Sequence, residues 1–229
     1  MKATREILKE PSKFKKFTIG NDHNVFLVPA GKEKFVLKQY RFRTAESVKK
    51  EAEFINFLFK KGCKVPKVIN IDNKLYFFWN GGPSILMEYL PGSLLIKNRL
   101  TNRLLAKIGR ELGKLDKNSS VFFKKFPAEP NRNKIVNNIL KPHPLFKHSA
   151  FNKFLNLFGR SKDVTKELMV DYKDAASTLK KIPKSLIHND VSEKNIIVRK
   201  GKLSGFIDFS DYIKAPTIIN LATACAHLC

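Results

Sequence analysis

The chain has 229 residues, of which 43% are hydrophobic and 11% aromatic. This size and composition predict one large globular domain or two small lobes, and they exclude an intrinsically disordered chain. No stretch is apolar over the length of a membrane span, the first residues lack a signal peptide's apolar stretch, and the three cysteines follow no disulfide or metal-ligand spacing. We therefore expect a cytoplasmic protein.

The chain is strongly basic, with 44 lysines and arginines, 20 acidic residues and a formal net charge of +24. A charge of this size fits a surface for nucleic acid or anionic membranes. The lysines are nevertheless spread along the whole chain, beside abundant Asn, Ile and Phe, and form no block of like charges. We favour a compositional bias over a nucleic-acid surface, and expect an attraction for polyphosphate ligands in either case.

The first predicted elements are two strands over residues 17–20 and 25–29, joined by a turn that begins at Gly20. Backbone N–H groups in such a turn can cover a phosphate, although an ordinary hairpin is the simpler interpretation. A third strand over residues 35–40 places Lys38 among apolar neighbours. This lysine either extends its ammonium to the sheet edge or binds a phosphate, for which a carboxylate must hold it.

The next element is a helix that Thr44 caps and that ends near Lys61, before Gly62. On a helical wheel Glu51 falls within the apolar stripe, whereas Glu53 falls on the polar face. A carboxylate that faces the core is costly unless it is paired, so we expect Glu51 to pair with Lys38. The apolar stripe consists of Val48, Ala52, Ile55, Leu58 and Phe59.

Further strands are predicted over residues 65–69, 75–79 and 84–89, and the pattern then changes from strands to helices. We place a hinge at residues 88–93, which divides the chain into a first lobe, 1–90, and a second lobe, 91–229. A crevice between two lobes is a common ligand site.

The second lobe is predicted to be mainly helical. A clear amphipathic helix covers residues 101–117, an irregular loop covers 118–130, and helical patterns follow over 131–160, 163–181 and 216–228. An aromatic face around Phe151 and Phe154 could stack nucleic-acid bases, but packing in a helical core is the simpler interpretation.

One stretch between these helices carries the chemistry. It contains His188, Asp190 and Asn195 in a His-x-Asp-x-x-x-x-Asn run, followed by a predicted hairpin over residues 196–207 with its turn at Gly201, and then Asp208. Antiparallel pairing brings the two ends of this hairpin together. We therefore expect Asn195 and Asp208 to lie side by side, with Asp190 close to both.

Carboxylate and amide oxygens at one site suit Mg²⁺, which usually shares its ligand shell with substrate phosphates. The order of these residues also matches kinase catalysis, in which an aspartate receives the hydroxyl proton while an asparagine and a second aspartate bind metal. The alternative is a surface hairpin whose polar ends are only solvated.

Taken together, these motifs resemble those of the aminoglycoside phosphotransferase and choline kinase superfamily. The resemblance covers nearly the whole chain and rests on the order of Gly20, Lys38, Glu51, ILMEYLPG, LIHNDVSEKN, GFIDFSD and NLATACAHL. It implies an α+β, bilobal protein-kinase-like fold, with an antiparallel sheet and one helix in the first lobe and a mainly helical second lobe.

The resemblance also implies a role for each motif. Lys38, held by Glu51, would contact the α- and β-phosphates of ATP, and Gly20 would belong to the phosphate loop. The backbone of Met87, Glu88 and Tyr89 would face the adenine. Asp190 would be the catalytic base, His188 would brace its loop, and Asn195 and Asp208 would bind Mg²⁺.

The chain departs from the family pattern at three positions. Asn189 replaces a common glycine, Ser192 replaces a common histidine, and Asn220 replaces an aspartate whose charge normally braces the catalytic loop. Family members also continue beyond the position of Cys229 with helices that complete the acceptor pocket, so we expect an incomplete acceptor site here.

The sequence therefore predicts an ATP- and Mg²⁺-dependent phosphotransferase that acts on a hydroxyl group of a small molecule. The departures favour a pseudokinase or nucleotide-binding regulatory module as the alternative. A third alternative, a basic nucleic-acid-binding protein, is favoured only by the net charge.

Overall fold

The computed structural model describes residues 10–17, 22–125 and 181–229, together with Leu8 and Thr178. Gly20, the aromatic face around Phe151 and the predicted helices over 131–160 and 163–181 lie outside the described residues, apart from Thr178 and Lys181, which are helical.

The first half of the chain forms an antiparallel sheet of five strands, in the order β1-β2-β3-β5-β4. The predicted strand over residues 65–69 is wrong, because this segment makes only an isolated bridge from Val68 to Met87. Pro66, its second residue, has no N–H to donate to a neighbouring strand. The five strands are β1 (Lys15–Phe17), β2 (His23–Ala30), β3 (Glu33–Tyr40), β4 (Phe77–Trp79) and β5 (Gly82–Glu88).

One helix, α1 (Ala45–Lys60), packs on this sheet as predicted. Its N-cap is Thr44, whose side chain accepts a hydrogen bond from the backbone N–H of Ser47 at 3.2 Å. The assignment of Phe59 to the buried stripe is wrong, since its side chain is 37% exposed. Phe54 is buried instead, because the helix turns this face toward Phe122 of the next helix.

That next helix, α2 (Asn102–Lys125), is longer than predicted. The prediction of an irregular loop from residue 118 is wrong for residues 118–125, which are helical. Ser119 and Ser120 donate their hydroxyl groups to backbone carbonyls of the preceding turn, at 2.9 and 2.7 Å, so their polar side chains do not end the helix. Burial of Phe122 then holds the additional turns against α1.

The later part of the chain contributes two small sheets and a final helix. Strands β6 (Ser93–Leu94), β8 (Ile196–Arg199) and β9 (Lys202–Phe206) form one sheet, and β7 (Lys184–Ile187) pairs with β10 (Ile213–Pro216) in the other. The predicted hairpin is present as β8 and β9. Its turn residues Lys200 and Gly201 have φ values of 50° and 70°, as a tight antiparallel turn requires.

The last helix, α3 (Ile218–Leu228), begins two residues later than predicted, because residues 213–216 pair with β7 in a sheet that was not predicted. One continuous hydrophobic core extends from Tyr40 and Phe54 to Leu112 and Phe209. Among the described residues, no helix has the length and apolar character to cross a membrane. The α+β fold is as predicted, and the division near residue 90 stays a prediction.

Two glycines allow a matched test of this fold. Gly92 has a φ of 141°, and a Cβ atom there would overlap the carbonyl oxygen of Val198. Gly109 lies in α2, where a Cβ atom would meet no atom within 4 Å. We expect Gly92→Ala to lower the free energy of unfolding by about 1–3 kcal/mol. We expect Gly109→Ala to raise it by about 0.5–1 kcal/mol.

Urea denaturation of both variants measures these free energies. A Gly92→Ala variant as stable as the unmodified chain would contradict the close approach of β6 to β8 at Gly92.

Candidate active site

The site is organised around Lys38, which is 4% exposed in the middle of β3. Its ammonium lies 3.4 Å from the Oε1 atom of Glu51, and the Glu51 side chain is fully buried on α1. The contact expected from the helical wheel is therefore present. Glu53, the alternative partner, is half-buried and makes no contact with Lys38.

Glu51 also receives two donors that were missed in the sequence. The Tyr40 hydroxyl donates to Oε1 at 2.5 Å, and the Arg43 guanidinium donates to Oε2. The contact of Tyr40 could have been predicted from the sequence, because residues two apart on a strand share a face and Tyr40 therefore lies beside Lys38. Arg43 follows the strand and carried no periodic signal. It also donates to the backbone carbonyl of Ser210 at 3.3 Å, so it connects α1 with the segment after Asp208.

Asp208 joins the same cluster from the end of the hairpin. Its Oδ1 atom lies 2.6 Å from the Lys38 ammonium and accepts the Ser210 hydroxyl at 2.6 Å. Its Oδ2 atom lies 3.5 Å from Nε2 of His23, which the sequence analysis also missed. Burial alone would raise the pKa of Asp208, but the Lys38 ammonium and the surrounding hydrogen bonds hold it well below its usual range. Asp208 is therefore an anion at neutral pH.

Lys38 keeps its positive charge because two carboxylates lie beside it. Burial lowers the pKa of a lysine, but the carboxylates of Glu51 and Asp208 more than compensate, and the pKa of Lys38 is raised. Lys38 and Arg43 thus balance two carboxylates. A buried cluster with equal numbers of cations and anions avoids the large cost of an unpaired buried charge.

The His-x-Asp-x-x-x-x-Asn motif is held by its own buried histidine, His188. The Nε2 atom of His188 donates to the carbonyl of Ile207 at 2.8 Å, while its Nδ1 atom accepts the backbone N–H of Asp190 at 3.3 Å. This pattern requires the neutral tautomer with its proton on Nε2, and burial lowers the pKa of His188 accordingly. His188 therefore connects the segment before Asp208 to Asp190.

Asn195 lies between Asp190 and the cavity. Its Nδ2 group donates to the Asp190 carboxylate at 2.7 Å and to the Asp190 carbonyl at 3.0 Å. The backbone N–H of Ile207 donates to the carbonyl of Asn195 at 2.9 Å, which places Asn195 next to the segment that carries Asp208. The predicted proximity is therefore present between Asp190 and Asn195, and between Asn195 and the segment that carries Asp208.

The residues fit Mg²⁺ by the chemistry of their donors. Asp208 offers a carboxylate and Asn195 an amide oxygen, and both line one cavity. Because Asn195 uses its NH₂ group on Asp190, its amide oxygen is the atom that can face a cation. One or two protein oxygens are what Mg²⁺ usually takes from a protein when phosphates supply further ligands.

This cavity has a volume of about 350 Å³ and lies between the first sheet and the β8–β9 hairpin. Lys38, Glu51 and Asp208 line one end, and Val36, Met87 and Ile197 are among its apolar walls. An apolar cavity with a few charged groups at one end is typical of a site for a small ligand. Asp190 is not among the lining residues and reaches the cavity only through Asn195.

The predicted hinge residues Met87, Glu88 and Tyr89 also line the cavity. Their backbone is partly engaged, because the N–H groups of Glu88 and Tyr89 donate to the carbonyls of Lys67 and Lys34 at 2.9 and 3.1 Å. Leu90 lines the same cavity, and among the described carbonyls none accepts its N–H. The Leu90 N–H is thus a donor left available to a ligand beside the predicted hinge residues, and it was not selected from the sequence.

Comparison with known proteins places the chain in a family. The family model described as "Phosphotransferase enzyme family" matches residues 13–229. The chain belongs to this family. Among curated proteins, none matches the chain significantly.

Solved structures agree on the fold. A spectinomycin phosphotransferase in complex with ADP and spectinomycin has a TM-score of 0.59 at 16% identity, over 96% of this chain and 72% of that one. An aminoglycoside phosphotransferase from Alicyclobacillus acidocaldarius has a TM-score of 0.61 at 13% identity, over 93% and 66%. A thermostable mutant of aminoglycoside phosphotransferase APH(4)-Ia, solved with ADP and hygromycin B, has a TM-score of 0.55 at 14% identity, over 96% and 75%. At these identities the likeness establishes the protein-kinase-like fold.

The buried carboxylate of Glu51 gives a direct test of the cluster. Glu51→Gln removes the charge that balances Lys38 and Arg43, so we expect the free energy of unfolding to fall by about 3 kcal/mol. Glu53→Gln, on the same helix, should change it by less than about 0.5 kcal/mol.

Chemical denaturation of the two variants at one pH and salt concentration makes the comparison. Equal losses of stability in both would show that Glu51 is not the charge on which the cluster depends.

Proposed function

We propose that the chain is an ATP- and Mg²⁺-dependent phosphotransferase that moves the γ-phosphoryl group of ATP to a hydroxyl group of a small molecule. The observation that carries this proposal is the convergence of Lys38, Glu51, Asp208 and Asn195 on one cavity of a chain in the phosphotransferase enzyme family. Transfer of a phosphoryl group needs positioning and charge neutralisation rather than covalent chemistry by the protein.

At the phosphate end, Lys38 is the cation for the α- and β-phosphates, and Glu51 holds it in place. Glu51 stays fixed by Tyr40 and Arg43 when the Lys38 ammonium turns toward a phosphate, because both donors contact Glu51 independently of Lys38. Asp208 and Asn195 are the Mg²⁺ ligands. The bound ion would neutralise the charge that develops on the phosphate oxygens.

Asp190 is the group that accepts the proton of the acceptor hydroxyl. The Oδ2 atom of its carboxylate accepts a hydrogen bond from the Nδ2 group of Asn195, which fixes the plane of the carboxylate. The Oδ1 atom is left for the acceptor hydroxyl. The neutral His188 ring holds the backbone N–H of Asp190. General-base catalysis requires this kind of fixed geometry, within hydrogen-bond reach of the proton that is removed.

The adenine end of the site is formed by the hinge. Met87, Glu88 and Tyr89 line the cavity, and the N–H of Leu90 is the donor that we assign to the base. The apolar side chains of Val36 and Ile197 flank the same space.

For the acceptor, the net charge of +24 disfavours a polycation, which would need an acidic pocket. The related structures hold spectinomycin and hygromycin B. For this chain we propose instead a neutral, zwitterionic or anionic alcohol such as a sugar, homoserine or an amino alcohol.

A nucleotide-binding module without transfer activity is the second candidate. The 2.6 Å contact between Lys38 and Asp208 favours it, since one proposed phosphate-binding group is paired with one proposed metal ligand. Binding of Mg·ATP without any phosphorylated product would select this candidate.

The proposal is tested with purified chain, γ-labelled ATP and a panel of alcohols that includes sugars, homoserine, amino alcohols and aminoglycosides. For any acceptor that is phosphorylated, Asp190→Asn should lower turnover by about 10²-fold to 10⁴-fold with little effect on nucleotide binding, the usual contribution of a general base.

Asp211→Asn is the matched control, because Asp211 is an exposed carboxylate of the neighbouring loop. It should keep the turnover of the unmodified chain. Comparable turnover by the Asp190→Asn variant would remove Asp190 from the mechanism.

A further inference from the structure

A second polar arrangement reaches the catalytic loop from outside the cavity. Asn220, at the start of α3, is fully buried, and its Oδ1 atom accepts the backbone N–H of Asn189 at 3.2 Å. Its Nδ2 group donates to the Oδ1 atom of Asp116 on α2 at 2.7 Å. Two helices are therefore connected to the residue that directly precedes Asp190.

The carboxylate of Asp116 fixes the orientation of the Asn220 amide. A carboxylate only accepts hydrogen bonds, so it selects the Nδ2 side of the amide and directs Oδ1 toward Asn189. With an apolar residue at position 116, neither orientation of the amide would satisfy both of its ends. Asp116 therefore stabilises the orientation of the amide in which Oδ1 accepts the N–H of Asn189.

The backbone at Asn189 needs such a partner. Its φ is 72°, a left-handed conformation that is strained for residues other than glycine, although asparagine tolerates it better than most. This turn aims Asp190 at Asn195. Strained backbone persists only where the surrounding contacts hold it.

Burial of the charged Asp116 carboxylate is unfavourable, which indicates that the charge has a structural or functional role. Burial raises the pKa of Asp116 to about 6, and the hydrogen bond from Asn220 only partly opposes this effect. The group is nevertheless ionised at pH 8. It does not line the nucleotide cavity, so binding the nucleotide does not explain it.

We propose that Asp116 is a positioning residue for phosphoryl transfer, which acts through Asn220 to hold the turn at Asn189 and thereby the carboxylate of Asp190. The proposal rests on the proposed function. In this arrangement the charge that supports the catalytic loop lies on α2 and the amide lies on α3.

A charge swap tests this arrangement. Asn220→Asp places a second carboxylate against Asp116 and should push the pair apart at pH 8. The double variant Asp116→Asn with Asn220→Asp restores one amide and one carboxylate in the reverse order. In it, the carboxylate introduced on α3 would still accept the N–H of Asn189, and the amide introduced on α2 would donate to that carboxylate.

Turnover and nucleotide KM are measured for the unmodified chain, Asn220→Asp, Asp116→Ala and the double variant. We expect kcat to fall by about tenfold or more in both single variants and to return to within about threefold in the double variant, with nucleotide KM nearly constant. A double variant no more active than Asn220→Asp, or single variants with unchanged kcat, would overturn the proposal.

Hydrogen–deuterium exchange of the segment 186–192 gives a readout that needs no activity. We expect the single variants to lose protection at the amide of Asn189 and the double variant to regain it. Unchanged protection in Asp116→Ala, or none regained in the double variant, would overturn the proposal. Because exchange reports on the loop itself, it decides the role of Asp116 even if the unmodified chain phosphorylates no acceptor and the proposed function fails.

Discussion

The contacts of the Lys38 ammonium with Glu51 and Asp208 are the interaction on which the rest of the site depends. They join β3 and the buried face of α1, the next element along the chain, to the loop that follows β9, where Asp208 is 170 residues beyond Lys38. The side chains of Lys38 and Glu51 are almost entirely removed from water. Charges in such a place are tolerated only when they are paired and hydrogen-bonded, so the cluster constrains where these three elements can lie.

Arg43 adds a second connection between the same elements. It donates both to Glu51 and to the carbonyl of Ser210, so the helix and the loop after Asp208 share a donor as well as the Lys38 ammonium. On the other side of Asp208, His188 connects Ile207 to Asp190. Asp208 and Asn189 both have a positive φ, of 60° and 72°. Both strained residues are thus flanked by buried hydrogen bonds that hold them, as expected for backbone that serves a function.

The sequence was sufficient where a short-range pattern carries the geometry. The helical wheel separates Glu51 from Glu53, because a carboxylate within an apolar stripe must find a partner. The two-residue turn at Gly201 predicts an antiparallel hairpin, and so brings the ends that carry Asn195 and Asp208 together. The one-residue shift of register between Ile197 and Val198 had no signal in the sequence. Contacts that depend on tertiary packing had no such signal. Arg43, His23 and the pair of Asp116 with Asn220 meet residues far along the chain. The additional turns of α2 depend on the burial of Phe122, and β7 and β10 each form only with the other.

Calorimetry can test, without any acceptor, whether this charge cluster binds a nucleotide together with Mg²⁺, as we propose. Binding of a non-hydrolysable ATP analogue is measured with and without Mg²⁺ for the unmodified chain and for Asp208→Ala. We expect Mg²⁺ to tighten binding to the unmodified chain and Asp208→Ala to remove this gain, since a carboxylate ligand to the ion is lost. The same gain from Mg²⁺ in both proteins, or no binding of the analogue to the unmodified chain, would contradict the proposal.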